Sequence, residues 1–373
     1  MKILHFSDTH LGYNELDRVS KNGINLREQD FYESFTQVID EALKRKPDLM
    51  VHSGDFFHRP SPANRPMVFA INQLHRLSEA NIPIVIIAGN HSTPKTIYTN
   101  PILEAFKSMK GVYPIFGQNY ETVEFDGIVV HGLPHINDEK HQILEMDKML
   151  PVPNQLNILL LHTSIGKNFM MEEYGEQFFP PERLELLNKF DYVALGHWHN
   201  FQKVSVLDNA WYSGSTERMS DTEAGKKKGF CWLELEKNKP AQPTFIPIET
   251  RDWFRIDLKK CQDKNVQEIE EELLEAIKIL PLEEAIISIY FHQITNMQAL
   301  QLSNRHIYEL MEGPIHVAIK RKFVETSGMF GSLDEETDSL EELLKAFIKR
   351  EIKDEETAKQ LINKTQYYFD QSS

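Results

Sequence analysis

Cysteine is nearly absent: the chain has two in 373 residues, Cys231 and Cys261. Two thiols cannot build a disulfide framework, and neither sits at a metal-type spacing, so a reducing, cytoplasmic setting fits. Long apolar runs are missing too. No stretch approaches the roughly eighteen consecutive apolar residues of a membrane-spanning helix, so no membrane span and no membrane partner are expected. The chain enters a strand at once, without a charged-then-apolar leader, and the expectation is that it is not secreted. Basic charge is also short, with 41 Lys and Arg against 56 Asp and Glu for a net charge of −15. This counts against a broad electrostatic footprint on DNA, whose affinity comes mainly from cations on phosphates. Basic residues cluster at Lys226-Lys227-Lys228 and Lys320-Arg321-Lys322. Each cluster reads more readily as a solvated loop or strand end than as a nucleic-acid contact.

Apolar residues make up 41% of the chain, enough for one large core and a smaller second unit. Several short, continuous apolar runs stop abruptly at polar residues. Residues 2–7 run into Asp8-Thr9-His10, and 49–53 into Gly54-Asp55-Phe56-Phe57-His58. Residues 83–88 run into Gly89-Asn90-His91, 157–161 into His162, and 192–195 into Gly196-His197-Trp198-His199. Such runs read as buried strands. Asp8 and His10, two apart, would share a face, setting an oxygen ligand beside an imidazole. In open α/β sheets ligands bind beyond the carboxyl ends of strands, so the five stops should converge. One Asp-x-His alone is weak, and any single histidine here could be a core or loop residue. Five such stops are hard to explain as structure alone. Carboxylate, amide and imidazole donors without thiolate favour Mn²⁺, Fe²⁺ or Zn²⁺ over a structural zinc knot.

The series Asp8-x-His10, Gly54-Asp55, Gly89-Asn90-His91, His162 and Gly196-His197-x-His199 resembles the calcineurin-type metallophosphoesterases. The opening HFSDTHLG and His58 resemble, within them, the SbcD-type DNA double-strand-break repair nucleases. The likeness spans residues 1–219; later segments match in architecture only. It implies two Mn²⁺ ions, with Fe²⁺ or Zn²⁺ as alternatives. Asp8, His10 and His199 would hold one ion, Asn90, His162 and His197 the other, and Asp55 would bridge, since an anionic ligand offsets repulsion between cations. His91 would stand near the leaving oxygen as acid or charge stabiliser, and His58 would orient the scissile phosphate. At Ser92 many relatives have an acidic residue that can orient His91; a serine hydroxyl can hydrogen-bond but carries no charge. His5, His52, His75, His131, His135 and His141 read as structural or exposed.

The implied fold is α/β, a two-layered β-sandwich flanked by helices, with a small α/β capping domain and a C-terminal helical hairpin. Residues 1–250 would form the nuclease domain, 251–327 the cap that selects DNA, and 328–373 a linker and partner-binding segment. Helices are expected over 25–45, 67–77, 100–109, 138–150, 266–280 and 297–311. Residues 112–116 and 122–133 should be strands of a second sheet layer, with Gly127 turning a hairpin. Residues 170–179 could form part of a substrate rim. In the tail, 340–352 and 355–369 carry apolar stripes that so short a hairpin cannot bury on itself. The resemblance implies an SbcC-type ABC ATPase as their partner, a homodimer formed through the helices around 67–77 and 100–109, and DNA ends, hairpins and single strands as substrates. A prokaryotic source would place it at the nucleoid. The rival readings are a calcineurin-type phosphomonoesterase or cyclic-nucleotide phosphodiesterase, and a binding scaffold without catalysis.

Overall fold

The parallel strands of the first sheet are apolar on both faces because each face meets a different layer. The computed structural model describes residues 1–96, 98–166 and 178–324, with Ile348, Lys359, Leu361 and Ile362. Along the chain come β1 (Lys2–Phe6), α1 (Leu26–Arg45), β2 (Leu49–His52), α2 (Asn64–Glu79), β3 (Ile84–Ile87) and β4 (Val112–Ile115). The second layer follows: β5 (Glu121–Phe125), β6 (Ile128–Leu133), α3 (Glu139–Met146), β7 (Leu156–His162), α4 (Leu184–Leu187), β8 (Tyr192–Gly196), β9 (Gln202–Lys203) and β10 (Ala210–Tyr212). β11 (Gly229–Glu234) and β12 (Thr244–Pro247) return to the first sheet, whose order is β12-β11-β1-β2-β3-β4; the second is β5-β6-β7-β8-β10-β9.

Side chains alternate along each strand. Leu4, Phe6, Met50, Ile84 and Ile86 pack with Phe35, Val38, Leu74 and Leu77 of α1 and α2. Their neighbours Ile3, Leu49, Val51, Val85 and Ile87 pack instead with Ile128, Val130, Ile158, Leu160 and Ala194 of the second sheet. That sheet's outer face, with Leu159, Leu161, Val193 and Leu195, is covered by Met146, Met149, Leu187 and Phe190. The two-layered sandwich flanked by helices is therefore present. Asn25 caps α1, its side chain accepting from the N–H groups of Arg27 and Glu28.

A smaller sheet, β13-β14-β15, consists of β13 (Trp253–Leu258), β14 (Ile286–Ile294) and β15 (His316–Phe323). α5 (Val266–Lys278) begins with a capping box between Asn265 and Glu268. Ile269, Leu273 and Ile277 of α5 pack on Ile287, Ile289 and Phe291. The chain forms two compact units, Met1–Lys322 and Phe323–Ser373. The boundary expected after residue 250 falls inside the first unit. Among the described residues no helix is long and apolar enough to cross a membrane.

Three expectations need correction. Residues 112–116 do not join the second layer: β4 pairs in parallel with β3, Ile87 opposite Ile115. The helix expected over 100–109 is a 3-10 segment, Ile102–Phe106. The helix expected over 297–311 is broken into α6 (Asn296–Gln301) and α7 (Asn304–Glu309), because the Ser303 side chain caps a new start by accepting from the His306 N–H. Most of the 170–179 rim and most of both tail helices lie outside the described residues.

Candidate metal centre

All five apolar runs end at the same edge of the sandwich, but not by strand periodicity. β1 stops at Phe6, and Asp8 and His10 lie beyond it with left-handed backbone, φ 51° and 39°. Asp55 (φ 53°) and His197 (φ 93°) share that conformation, which costs about 1–3 kcal/mol at a non-glycine residue. Cross-strand bonds hold it. The Asp8 N–H donates to the Gly54 carbonyl and the His10 N–H to the Asp55 carbonyl, each at 3.0 Å. The His197 N–H donates to both Asp8 carboxylate oxygens at 3.1 Å.

The donor atoms meet within this frame. His162 Nδ1 is 2.8 Å from the Ser53 carbonyl, which aims Nε2 at Asn90 Oδ1 (2.9 Å) and Asp55 Oδ2 (3.1 Å). His10 Nε2 lies 3.9 Å from Asp55 Oδ2, and His199 Nε2 lies 4.0 Å from Asp8 Oδ1. The rings of His162 and His197 are 5.2 Å apart. Asp8, His10 and His199 bring one ligand atom each within 4.8 Å of one another, as do Asp8, Asp55 and His162. Two glycines make room: a Cβ on Gly54 (φ +98°) would strike the His162 ring, and one on Gly89 would strike the Asp55 carboxylate.

The local field calls for positive charge. Burial opposes a charged His162, yet the Asp55 and Asp8 carboxylates outweigh it and raise its pKa to about 9. Burial likewise opposes the Asp55 charge, and the rings of His162 and His10 still hold its carboxyl well below the usual range. Burial dominates at His10 and keeps it neutral, well below the usual imidazole range. Both its ring nitrogens are buried with no hydrogen-bond partner, a costly state unless a cation takes up a lone pair. The residues fit a pair of divalent cations.

His58 and His91 stand beside this cluster. Their rings stack at 5.2 Å, and His91 meets the His10 ring edge-on at 5.0 Å. His91 Nδ1 bonds the His58 carbonyl at 2.9 Å. Ser92, which stands where many relatives have an acidic residue, does not orient His91: its hydroxyl is buried with no partner. Burial lowers the His58 pKa to about 4, assisted by His91.

Sequence reasoning missed several residues here. His199 Nδ1 lies 3.0 Å from Glu223 Oε1, and Glu223 is paired with Lys228. Lys228 belongs to a lysine run read as solvated, yet it is 1% exposed. Burial works against the Glu223 charge, but His199 and Lys228 hold its carboxyl down at about 2. His135, set aside above, is half-buried; its N–H bonds the Ala88 carbonyl at 2.9 Å. Burial first, then His162, lowers its pKa to about 4 against the pull of Asp55. His5, His52 and His131 are structural as expected, each held by side-chain partners. An open cavity of about 430 Å³ exposes the centre, lined by His10, Asp55, Asn90, His91, His197 and His199 together with Tyr13 and Thr222.

Buried carboxylates and imidazoles gathered at strand ends around one open cavity define a metal-dependent phosphoesterase. Residues 1–201 match the model of the calcineurin-like phosphoesterase family, and the chain belongs to that family. Among its relatives is the DNA double-strand break repair protein Mre11 of Sulfurisphaera tokodaii, 36% identical over 56% of this chain and 51% of that protein. The protein of the same name from Sulfolobus acidocaldarius is 32% identical over 75% of this chain and 70% of its own length. That from Saccharolobus solfataricus is 32% identical over 74% and 71%. The matched part thus spans about half of the first relative and about seven-tenths of the other two.

Proposed function

We propose that this chain is a manganese-dependent DNA nuclease of double-strand-break repair, an exonuclease on double-strand ends and an endonuclease on single strands. The observation that carries the reading is the clustering of the donor atoms of Asp8, His10, Asp55, His162 and His199 beside an open cavity lined by His10, Asp55, His58, Asn90, His91, His197 and His199. The names carried by its relatives supply the substrate class. Asp8, His10 and His199 would hold one cation and Asn90, His162 and His197 the other, with Asp55 as a ligand available to both. When bound, the two cations supply an activated water and neutralise charge on the phosphate oxygens. His91, fixed at Nδ1 by the His58 carbonyl, presents Nε2 to the leaving oxygen and donates its proton there. The His58 ring, stacked on His91, orients the scissile phosphate. Manganese suits a donor set of oxygen and imidazole without thiolate.

The division into residues 1–250, 251–327 and 328–373 assigns chemistry, DNA selection and partner binding in turn. The last segment would dock an SbcC-type ABC ATPase, and two copies of the chain would work as a dimer in the cytoplasm or at the nucleoid. The deciding experiment is degradation of linear, hairpin and single-stranded DNA by the purified chain with metal varied. Manganese-dependent loss of linear DNA is expected. Faster turnover of a small aryl phosphate than of DNA would replace this reading with a phosphomonoesterase. Removal of residues 334–373 should spare the manganese-dependent nuclease and lose the ATPase partner.

A further inference from the structure

The turn that carries Glu223 is anchored at two ends. Asp221–Glu223 is a single turn of 3-10 helix leading out of the loop that walls the cavity. At one end, Glu223 accepts from His199 Nδ1 at 3.0 Å. Lys228 fixes that carboxylate, and its ammonium also donates to the His199 carbonyl at 2.7 Å and to Ser215 Oγ at 2.9 Å. Ring and backbone of His199 are thus gripped by one buried ion pair. At the other end, Asp221 accepts from the Tyr290 hydroxyl on β14 and from Lys320 Nζ on β15, the latter at 2.6 Å. Lys320 also donates to the Tyr290 hydroxyl at 2.9 Å, and the Arg255 guanidinium lies 4.0 Å over the Tyr290 ring.

A metal-ligating imidazole needs its second nitrogen held, because that bond fixes both the tautomer and the aim of the lone pair. Here Nδ1–H donates to Glu223 and leaves Nε2 facing Asp8. A buried ion pair contributes little net stability over an apolar pair of the same volume. Its position against the ring is better explained by orientation. The far anchor has no chemistry of its own, and it fastens the same turn to the three-stranded sheet.

We infer that the Asp221–Glu223 turn is a positioning strut for His199. Glu223, held by Lys228, sets the ring, and Asp221 ties the turn to the small sheet through Tyr290 and Lys320. The placement of that sheet therefore sets how tightly the cation beside His199 is bound. This rests on the two-cation reading above.

Calorimetric titration of the full chain with Mn²⁺ alone, without DNA, tests it. Changing Glu223→Gln together with Lys228→Met removes both buried charges, so no ammonium is left unpaired. One of the two binding steps should weaken by about 10- to 100-fold while the other stays in place. Tyr290→Phe with Lys320→Ala, which bond Asp221 rather than any of the ligands, should weaken that same step by about fivefold or more. Lys320→Arg should restore it, and Lys322→Ala, whose ammonium lies 5.9 Å from the Tyr290 ring centre, should change neither step. Two wild-type steps in both multiple variants would overturn the strut while leaving the two-cation reading intact. Equal weakening of both steps would overturn it as well, as a general loosening. A wild-type chain that binds no pair of ions would remove the two-cation reading itself, and the strut with it. If the Glu223 and Lys228 variant fails to fold, the Tyr290 and Lys320 variant decides alone.

Discussion

His91 Nδ1 lies 2.9 Å from the main-chain carbonyl oxygen of His58, so the backbone of one histidine aims the side chain of the other. The proton on Nδ1 is committed to that carbonyl, and Nε2 is the end left to meet substrate. His91→Ala should therefore lower DNA cleavage by about 10²- to 10⁴-fold, the usual worth of a general acid. Manganese content should stay near wild type, because His91 is not counted among the ligands. His58→Ala keeps the carbonyl and hence the aim of His91, so it should cost less turnover than His91→Ala. Steady-state cleavage of a linear duplex, with metal measured by atomic emission, checks the pair.

Ser92 gives a prediction of opposite sign. Its hydroxyl is buried and makes no hydrogen bond, and a buried unpaired polar group is a net cost. Ser92→Ala should leave cleavage unchanged and hold or slightly raise the melting temperature. A clear loss of activity would mean that the hydroxyl does orient His91.

Which parts were legible follows from what short-range pattern records. Leu49, Met50 and Val51 read as a buried strand because both faces are covered, and the stop at Gly54-Asp55 marks the end of the strand, though burial continues through Asp55, Phe56 and Phe57. Asp8, His10 and their partners stood out because their residue types are costly to bury without a purpose. Long-range pairing leaves no such mark. Val112 to Ile115 carries nothing that says which sheet it joins, and only β3 beside it settles that. Lys228 looks like its exposed neighbours Lys226 and Lys227 until Glu223 is folded over it. Ser303 is different: a serine three residues before His306 is a helix-start signal, and it could have broken the 297–311 helix on sequence alone.

Acid should weaken the fold through two buried histidines that are not counted among the ligands. Burial lowers the pKa of His5 and of His52 from 6.5 to about 3. Above pH 6.5 both folded and unfolded chains carry these rings neutral, and stability is unaffected by them. Between 6.5 and about 3 the unfolded chain takes up a proton that the native one refuses, so stability falls as pH falls. Each ring contributes up to about 1.4 kcal/mol per pH unit in that window. His162 and His199 shift the other way, so the comparison has to be internal. Urea melts with chelator present should show a shallower acid slope for His5→Gln than for wild type, whatever the variant's overall stability. An equal slope would mean that His5 is protonated in the native state.

Metal and fold should be linked through Gly54. Its φ of +98° is strained for any other residue, and a Cβ there would collide with the His162 ring, the ring whose Nε2 faces both Asn90 and Asp55. Bound cations stabilise the native chain by mass action, about 2.7 kcal/mol when free metal is a hundredfold above its dissociation constant. Manganese should therefore raise the melting temperature of the wild type, and chelator should lower it again. Gly54→Ala can relieve its clash only by displacing His162 or the 54–55 backbone. It should lose most of that manganese-induced rise and, with chelator, also melt lower from backbone strain of about 1–3 kcal/mol. Thermal melts of both proteins with and without manganese separate the two effects. A full manganese response in Gly54→Ala would place His162 outside the metal centre.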